Sequence, residues 1–374
     1  MFRKIISCAL SPNTEIDDVF LALQTICTPW KWKYGKAIDK VEKKLGAITF
    51  NSGRSAFLAL LEAFDIGEGD EVIVQAFTCV AVPNSVLWAG AKPVFADIDE
   101  TYNIDPKDIE KKITKKTKAI VVQHTFGIPA DMNAILALSK KHNVFVIEDF
   151  AHTMSIPMRG DAAFFSFGRD KVLSSVWGGA ASISSKLKVQ SEKLKEFQSN
   201  LLVPGNFWIF QQLLHPIAFS IILTLYDVII GKLFLVLLQK LRLLSFPVYK
   251  EEKSGGQPSD FPAKYPNALA CLLLNQLKKL DRYTEKREQA VRFYGGKLPL
   301  LRYPMRVNEP EKIIQRAKEH GVLLGNWYHN VIDPQGVTYR AANCPKAEEA
   351  AAHIINLPTL ISIAEAKRVW KHLS

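Results

Sequence analysis

The sequence predicts an α/β protein: a large domain with a mostly parallel sheet between helices, followed by a smaller C-terminal α+β lobe. Two observations support this prediction. Short apolar runs rich in β-branched or aromatic residues alternate with helical stretches through the first half of the chain, which is typical of a parallel sheet with helices on both faces. The chain also has 374 residues, 48% of them hydrophobic, which is enough for a large core and argues against disorder.

The predicted elements divide the chain into three segments. The large domain occupies 1–205, a hydrophobic helical insert 206–249, and a long helix with the small domain 250–374. In the large domain we predict strands at 48–50, 92–97, 119–123, 144–147, 162–167 and 180–183, and helices at 15–26, 56–64, 106–113 and 131–142. One long helix is predicted at 268–294, because apolar residues recur there at steps of three and four.

Chemically useful side chains stand where two of these strands stop. Asp149 and His152 follow the strand at 144–147, Ser166 closes the next one, and Lys171 comes five residues later. Ligands of parallel sheets bind beyond the carboxyl ends of the strands. We therefore expect an acid, an imidazole, a hydroxyl and an amine to converge on one crevice.

This set of groups suits one type of chemistry. A lysine amine condenses with an aldehyde to give a Schiff base, and pyridoxal phosphate carries such an aldehyde on a ring that accepts electrons when its nitrogen is protonated. Lys171 suits the Schiff base, and Asp149 suits the carboxylate that keeps the nitrogen protonated. Taken alone, each residue has a simpler explanation, a solvated loop lysine and a helix N-cap. The order and spacing of the whole set favour the chemical interpretation.

An anion site is predicted at the start of the helix at 56–64. A helix N-terminus preceded by small residues offers free N–H groups and a positive dipole end. Arg54 in the first turn would oppose that dipole unless an anion lies there. The loop lacks a G-x-G-x-x-G fingerprint, so a phosphate group is favoured over a dinucleotide.

Several motifs together resemble the DegT/StrS-type nucleotide-sugar aminotransferases, which have the fold type I pyridoxal phosphate architecture. The motif V-I-E-D-F-A-H at 146–152 is followed by S-F-G-R-D-K at 166–171 and G-G-A at 178–180. Further similar stretches lie at 51–56, 69–78, 94–99, 124–132 and 356–358. The resemblance covers most of the chain except 206 to about 249.

The resemblance implies pyridoxal 5'-phosphate as the cofactor, with Lys171 and Asp149 in the roles given above. His152 would contact the ring hydroxyl or brace Asp149. The phosphate ligands would be Gly53, Arg54, Ser55 and Ser166.

Two departures from the family pattern concern the same site. Cys79 stands where an aromatic residue usually stacks on the cofactor ring, although a thiol also packs on a π face. The Asn-x-Arg motif that reaches the partner subunit's phosphate is replaced by Pro262 and Lys264, with Lys264 and Asn267 as candidate substitutes.

The resemblance implies an aminotransferase that moves an amino group, from glutamate, to a keto-sugar that is linked to a nucleotide, for surface-glycan or amino-sugar biosynthesis, and that forms a homodimer. Two alternatives remain. A sugar dehydratase of the same fold would carry histidine in place of Lys171. A non-catalytic membrane adaptor that binds a sugar nucleotide or a lipid is opposed by the Asp149–Lys171 pair and favoured somewhat by Cys79 and the insert.

Charge and cysteine content limit the partners. The net charge of +11 attracts anions such as phosphorylated substrates and acidic lipids, and nucleic acid is the least favoured because no RNA-binding or zinc-finger motif is visible. The five cysteines form no C-x-x-C or Cys/His cluster, so we expect neither a metal site nor a disulfide framework, and a reducing cytoplasm is the simplest compartment. The apolar run at the N-terminus is shorter than the core of a signal peptide.

The insert carries 20 residues without formal charge at 207–226, diluted by polar residues and by Pro216. We expect Pro216 to break the helix and 217–238 to form a second one, with a narrow polar stripe at Ser220, Thr224, Asp227 and Gly231. This helix would lie in the dimer interface or in the membrane surface. The second is favoured, because the insert is absent from the family pattern and the chain is basic, and it predicts peripheral contact through 207–244 with the cytoplasmic leaflet.

Overall fold

The computed structural model describes residues 5–226, 230–334 and 343–373. Its strands are β1 (Ile6–Ser7), β2 (Ile48–Phe50), β3 (Glu71–Gln75), β4 (Thr78–Cys79), β5 (Lys92–Ala96), β6 (Thr117–Gln123), β7 (Phe145–Asp149), β8 (Ala162–Ser166), β9 (Gly179–Ile183), β10 (Arg302–Arg306), β11 (Val322–Leu323), β12 (Ile332–Asp333) and β13 (Ile354–Pro358). Its α-helices are α1 (Ile16–Ile26), α2 (Lys36–Leu45), α3 (Gly53–Ala63), α4 (Ala81–Trp88), α5 (Pro106–Lys112), α6 (Met132–His142), α7 (Lys188–Asn200), α8 (Asn206–Thr224), α9 (Ile230–Lys240), α10 (Asn267–Leu277), α11 (Leu280–Phe293), α12 (Pro310–Glu319), α13 (Pro345–His353) and α14 (Ile363–Lys371).

A seven-stranded sheet forms the centre of the large domain, in the order β2-β9-β8-β7-β6-β3-β5. The pairs from β8 through to β5 are parallel. Only β9 runs the other way, pairing antiparallel with β2 and with β8. The predicted α/β class with a mostly parallel sheet is therefore confirmed.

Helices cover both faces of this sheet, and alternate strand residues are buried against opposite layers. On β3, Val72 and Val74 join the cluster that contains α3, whereas Ile73 joins the cluster that contains α5 and α6. This is the period-2 alternation of a strand whose two faces are both buried. It leaves the strand ends, rather than the faces, free to carry chemistry.

The small lobe is built from both ends of the chain. An antiparallel pair, β10 with β13, lies in the C-terminal segment, and β1 pairs with β11 so that Ile6 lies opposite Val322. The first strand of the chain therefore pairs with the small lobe, and the predicted start of the large domain at residue 1 stays a prediction. The other predicted divisions, at 205 and 249, stay predictions.

Two helix predictions were wrong. The long helix at 268–294 is two helices, α10 and α11, separated at Lys278 and Lys279. Lys279 turns toward the start of α1, where its Nζ lies 2.7 Å from Asp17 Oδ1 and 2.8 Å from Asp18 Oδ2. The break contains neither glycine nor proline. Ion pairs with a distant helix stabilise it instead, so the local sequence does not reveal it.

In the insert, α8 continues through Pro216, and the interruption comes only after Thr224. The two helices then fold back on each other as a hairpin. A Cβ on Gly231 would lie 2.4 Å from the Ile222 carbonyl oxygen, so only glycine allows this approach. Asp227 of the predicted polar stripe lies outside the described residues.

The insert is also part of the main core. Trp208, Ile209 and Leu213 of α8 are buried in the same cluster as Trp177 and Phe261. By length and composition α8 could cross a membrane, but half of it is buried inside the protein, as in the core helix of a soluble protein. The exposed apolar residues of the insert lie mainly on α9 instead.

Candidate active site

A cavity of about 440 Å³ opens at the carboxyl ends of β7 and β8. Seven of the eight residues predicted from the sequence line it: Gly53, Arg54, Cys79, Asp149, His152, Ser166 and Lys171. Residues from the small lobe, from the end of the insert and from the turn after it also line the cavity: Trp327, Tyr328, Asp333, Phe246, Pro247, Val248 and Lys253. The parallel strand ends therefore converge as expected.

Ser55 is the predicted residue that the structure does not bring to the cavity. Its hydroxyl is fully buried, donates to Asn51 Oδ1 at 2.7 Å and lies 2.9 Å from Ser52 Oγ. Its N–H donates to the N-cap oxygen of Ser52. Both polar groups serve the turn into α3, so the Ser55 side chain has no route to a phosphate.

The loop that carries Lys171 is held from the far side by Asn13. The Asn13 side-chain amide donates to the carbonyl oxygens of Lys171 and Val172, at 2.8 and 3.0 Å. Arg287 donates to the same Val172 carbonyl at 3.1 Å. A backbone fixed by two buried side chains presents the Lys171 amine from a defined position.

The Lys171 amine lies under the small lobe. Its Nζ is 4.5 Å from the centre of the Trp327 ring. Burial lowers the pKa of Lys171 below its ordinary value, while the neighbouring Asp170, Cys79 and Asp149 act against the shift. A lysine held in this way keeps a larger share of the neutral amine, the form that attacks a carbonyl.

Asp149 ends β7 and is 3% exposed. Its Oδ1 accepts the Ala151 N–H at 2.8 Å, which fixes the orientation of the carboxylate. Burial raises the pKa of Asp149 to about 6, against smaller opposing effects of that hydrogen bond and of the Lys171 charge. A buried carboxylate of this kind is stabilised by a positive group placed beside it.

His152 is neutral and its tautomer follows from its partners. Its Nδ1 accepts the Phe126 N–H at 3.1 Å, so the ring proton lies on Nε2, which donates to the Tyr328 hydroxyl at 3.2 Å. Burial and the nearby cations Lys171 and Arg302 hold the pKa of His152 well below its ordinary value. One of its two expected roles is to brace Asp149, but no hydrogen bond joins His152 to Asp149 in the described parts of the chain.

The start of α3 meets the end of β8 closely enough to form an anion cradle. A Cβ on Gly53 would lie 3.1 Å from Ser166 Cβ and 3.4 Å from its Oγ. A Cβ on Gly179, in β9, would lie 2.5 Å from the Gly53 nitrogen, so both glycines are needed for this approach. The Ser166 hydroxyl is thus placed beside the first N–H groups of an 11-residue helix.

Arg54 already has an anionic partner. Its guanidinium pairs with the carboxylate of Glu252, which is fully buried, and donates to the Pro247 carbonyl at 2.9 Å. We call residues 245–253, the end of the insert and the turn after it, the strap. The sequence predicts a phosphate beside Arg54, whereas here a carboxylate of the strap pairs with it, and the contact of Arg54 with phosphate stays a prediction.

Cys79 replaces the aromatic residue that usually stacks on the cofactor ring in this pattern, and Trp327 supplies an aromatic surface in the same cavity. Cys79 lines the cavity at the end of β4, and burial raises the pKa of its thiol, so the thiol stays protonated at neutral pH. The aromatic surface comes instead from Trp327, which stacks on His152 with ring centres 5.3 Å apart. The guanidinium of Arg302 lies 3.3 Å from the centre of the Trp327 ring. A Trp-Tyr pair in a turn more often serves packing, so the sequence around Trp327 gives little sign of this position in the cavity.

Lys264 and Asn267, the candidate substitutes for the Asn-x-Arg motif, form hydrogen bonds within their own chain. Lys264 Nζ donates to the Ser199 carbonyl at 2.7 Å. The Asn267 side chain accepts from the Ala37 N–H and donates to the Lys31 carbonyl, at 3.0 and 2.8 Å. Neither lines the cavity.

The donor set fits pyridoxal phosphate. A buried carboxylate with a raised pKa suits a protonated ring nitrogen, an amine with a lowered pKa suits an aldehyde, and the Gly53–Ser166 cradle suits a phosphate. Asp149, Lys171, Gly53 and Ser166 would hold the corresponding groups.

Known proteins resemble this chain in sequence and in fold. The model of the DegT/DnrJ/EryC1/StrS aminotransferase family matches residues 21–200. The "Pleiotropic regulatory protein" of Geobacillus stearothermophilus is 37% identical over 94% of this chain and 92% of that protein. The GDP-perosamine synthase of Caulobacter vibrioides is 36% identical, but the match spans 45% of this chain and only half the length of that relative, 50%.

A solved structure extends the likeness to the whole fold. NtdA from Bacillus subtilis, with bound cofactor PMP, superposes with a TM-score of 0.71 at 20% identity, over 97% of this chain and 83% of that chain. The chain belongs to the DegT/DnrJ/EryC1/StrS aminotransferase family, and the predictions of that family, of its fold and of pyridoxal phosphate as the cofactor are confirmed.

Proposed function

We propose that this aminotransferase moves an amino group from glutamate to the carbonyl carbon of a keto-sugar linked to a nucleotide, for surface-glycan or amino-sugar biosynthesis. The observation that carries the proposal is the buried Lys171 amine in one cavity with the buried Asp149 carboxylate. The match to a GDP-perosamine synthase supports a nucleotide-linked sugar. A cavity of about 440 Å³ is of the size that encloses small-molecule ligands.

Each residue has a defined part in this reaction. When bound, pyridoxal phosphate supplies an aldehyde that bonds to amines and a ring that withdraws electrons from the adjoining carbon. In its neutral form, the Lys171 amine would take a proton from the substrate carbon as general base and, as general acid, deliver it to the carbon of the former aldehyde group. The Asp149 carboxylate would hold the positive ring nitrogen, and Trp327 and Tyr328 would exclude water from the Lys171 side.

Lys171 also argues against the dehydratase alternative, in which histidine would replace it. His152 cannot serve in its place, because the Phe126 N–H and the Tyr328 hydroxyl occupy both of its ring nitrogens. A non-catalytic adaptor would have no need of a lysine amine with a lowered pKa.

The chemistry is tested on the purified protein. Incubation with pyridoxal phosphate is expected to give a visible absorption band that borohydride removes, with the reduced adduct on the Lys171 peptide in a mass spectrum. Glutamate should then convert the cofactor to its amine form, and nucleotide-linked keto-sugars should restore the absorption. An adduct on another lysine, or no response to glutamate or to any keto-sugar, would contradict the proposal.

We further propose a cytoplasmic homodimer that contacts the membrane surface through the insert, within 207–244. Leu233, Leu237 and Leu241 on and just after α9 are 64%, 51% and 57% exposed. The first apolar residues of α1, which packs against α8, are also exposed: Ile16 at 68% and Phe20 at 60%. Exposed apolar residues on a basic chain suit anionic lipid. Salt-resistant and detergent-sensitive sedimentation with membranes tests the contact, and a soluble protein whose dimer is lost on substitution of these leucines would favour the interface instead.

A further inference from the structure

One cation in the cavity has no anionic partner. Arg169 lines the cavity two residues before Lys171, and no carboxylate lies within salt-bridge distance of it among the described residues. Its Nε is buried and makes no hydrogen bond. Burial lowers the pKa of Arg169 to about 10, so it remains a cation at neutral pH at the cost of desolvation.

The other arginines at the cavity, and Lys171, are already committed, and the remaining lining cation, Lys253, lies on the strap. Arg54 pairs with Glu252, and Arg302 lies 2.8 Å from Asp170 Oδ2. Lys171 is needed for the bond to the cofactor aldehyde. Arg169 is thus the guanidinium in this lining whose charge stays uncompensated within the described parts of the chain.

Arg169 is also held in place by the insert. Its Nη2 donates to Ser245 Oγ at 2.5 Å, and Ser245 donates to Gln212 Oε1 at 2.7 Å. Gln212 is fully buried in α8, and its amide donates to the Trp208 carbonyl at 2.8 Å. Trp177 Nε1 lies 3.2 Å from the same Ser245 oxygen. A chain of buried hydrogen bonds through α8 and the strap fixes the guanidinium at the cavity wall.

The residues next to Arg169 indicate which anion it binds. Arg169 follows Gly168, where an added Cβ would lie 3.6 Å from Ser166 Oγ and 3.6 Å from Lys171 Cγ. The backbone just before Arg169 therefore lies beside the Ser166 hydroxyl of the Gly53–Ser166 cradle, and both residues line the same cavity. We propose that Arg169 binds the phosphate group of the cofactor and that the insert positions it through Ser245, so that one chain supplies the main charge partner of this phosphate.

The test compares two ligands that differ only in the phosphate. Dissociation constants of pyridoxal phosphate and of pyridoxal are measured on the full-length apoenzyme by absorbance or by quenching of tryptophan fluorescence. A charge-assisted hydrogen bond to phosphate contributes about tenfold to a hundredfold in affinity. Arg169→Gln is therefore expected to lower the preference for the phosphorylated ligand about tenfold or more and to leave pyridoxal binding within about twofold.

Two further variants sharpen the result. Ser245→Ala keeps the Arg169 charge but removes the hydroxyl that positions its guanidinium. It should lower the preference for pyridoxal phosphate over pyridoxal by a smaller factor. Arg292→Gln removes an exposed arginine that pairs with Glu288 on α11, and serves as the matched control without effect. If Arg169→Gln fails to fold, Arg169→Lys and Ser245→Ala carry the same comparison.

An unchanged preference in the Arg169 variants would overturn the proposal, and so would an equal loss for both ligands, which would show a structural role only. Weaker binding of a nucleoside diphosphate sugar, with the preference unchanged, would overturn it as well and assign Arg169 to the substrate's phosphates. These dissociation constants involve no sugar turnover and no amino donor, so their outcome is independent of the proposed function.

Discussion

The two sides of the cavity differ in how the chain builds them. The floor, Asp149, Ser166 and Lys171, comes from one stretch of sequence at the ends of adjacent strands. The roof comes from distant segments: Trp327 and Tyr328 from the small lobe, and the strap after the insert. In the proposed function, the floor carries the groups that react, whereas the roof excludes water and sets the electrostatic environment of those groups. Substitutions in the floor are therefore expected to abolish the chemistry, and substitutions in the roof to shift its pH and ligand dependence.

The largest effect is expected for Lys171→Ala. Without the amine, the floor loses both its link to the cofactor and its proton carrier, and the rate of transamination should fall by more than about a thousandfold. Lys171→Arg should fail as well, because a guanidinium stays protonated. Single-turnover kinetics with cofactor in excess measures this, and near-normal turnover by either variant would place the reacting amine elsewhere.

Asp149→Asn should lower the rate on the order of a hundredfold or more, because an amide cannot keep the ring nitrogen protonated. Cofactor content should change much less, since Lys171 and the Gly53–Ser166 cradle are untouched. A rate within about twofold of the wild type would show that the carboxylate partner of the ring lies elsewhere.

The same variant should make the apoprotein more stable. The pKa of Asp149 is about 6 in the folded protein against 3.8 for the ordinary group, so the folded state favours the protonated carboxyl. Wild-type apoprotein therefore loses stability as the pH rises from about 4 to about 6, by up to about 3 kcal/mol. Urea unfolding at pH 7 should show Asp149→Asn above the wild type, with the difference gone at pH 4. Equal stability of the wild type and Asp149→Asn at both pH values would show that burial does not raise the pKa of this carboxyl group.

Trp327→Ala tests the roof and should have a moderate effect. Water would reach the Lys171 amine, its pKa would rise toward the ordinary value, and the pH at which cofactor binding is half-maximal should rise by about one unit, which weakens binding about tenfold at neutral pH. Trp327→Phe should retain part of the effect. Trp370→Ala, which removes a half-exposed tryptophan in the small lobe, is the control. An unchanged pH profile in Trp327→Ala would show that the roof does not tune the amine.

The smallest effect on activity is expected on the exposed face of the insert. Leu233→Glu with Leu237→Glu should release the protein from anionic vesicles without changing turnover, because both side chains point to solvent. Val189→Glu, at an exposed apolar position on α7, is the matched control. Vesicle co-sedimentation measures the binding. Retention of the double variant on the vesicles would contradict membrane contact through α9.

The same contrast explains what the sequence could predict. Asp149 and Lys171 line one cavity, as the sequence predicts, because their positions depend on where buried strands end; their catalytic roles stay predictions. Ser55 was misplaced because a turn motif does not tell which side chains its own hydrogen bonds consume. The break at Lys279 and the closing role of Trp327 depend on contacts between distant parts of the chain, and no local residue pattern records such contacts.

The insert is a different case. Its apolar composition predicted a helix in the dimer interface or in the membrane surface, yet α8 shares the main core with Trp177 and Phe261. Hydrophobic composition alone does not distinguish a helix that meets lipid from one that meets protein.

The hydrogen bonds from Asn13 to the Lys171 loop depend on segments that are synthesised late. The backbone carbonyl of Asn13 itself accepts hydrogen bonds from the Gln276 side chain, at 3.1 Å, and from the Tyr283 hydroxyl, at 2.9 Å. On the ribosome, the strand that carries Asp149 and the loop that carries Lys171 emerge long before these partners do. We therefore expect a nascent chain to have a complete sheet but no fixed lysine until Tyr283 has left the exit tunnel. Capture of the cofactor would then mark a chain that is nearly finished, and a truncated product would carry no reactive, aldehyde-binding site into the cell.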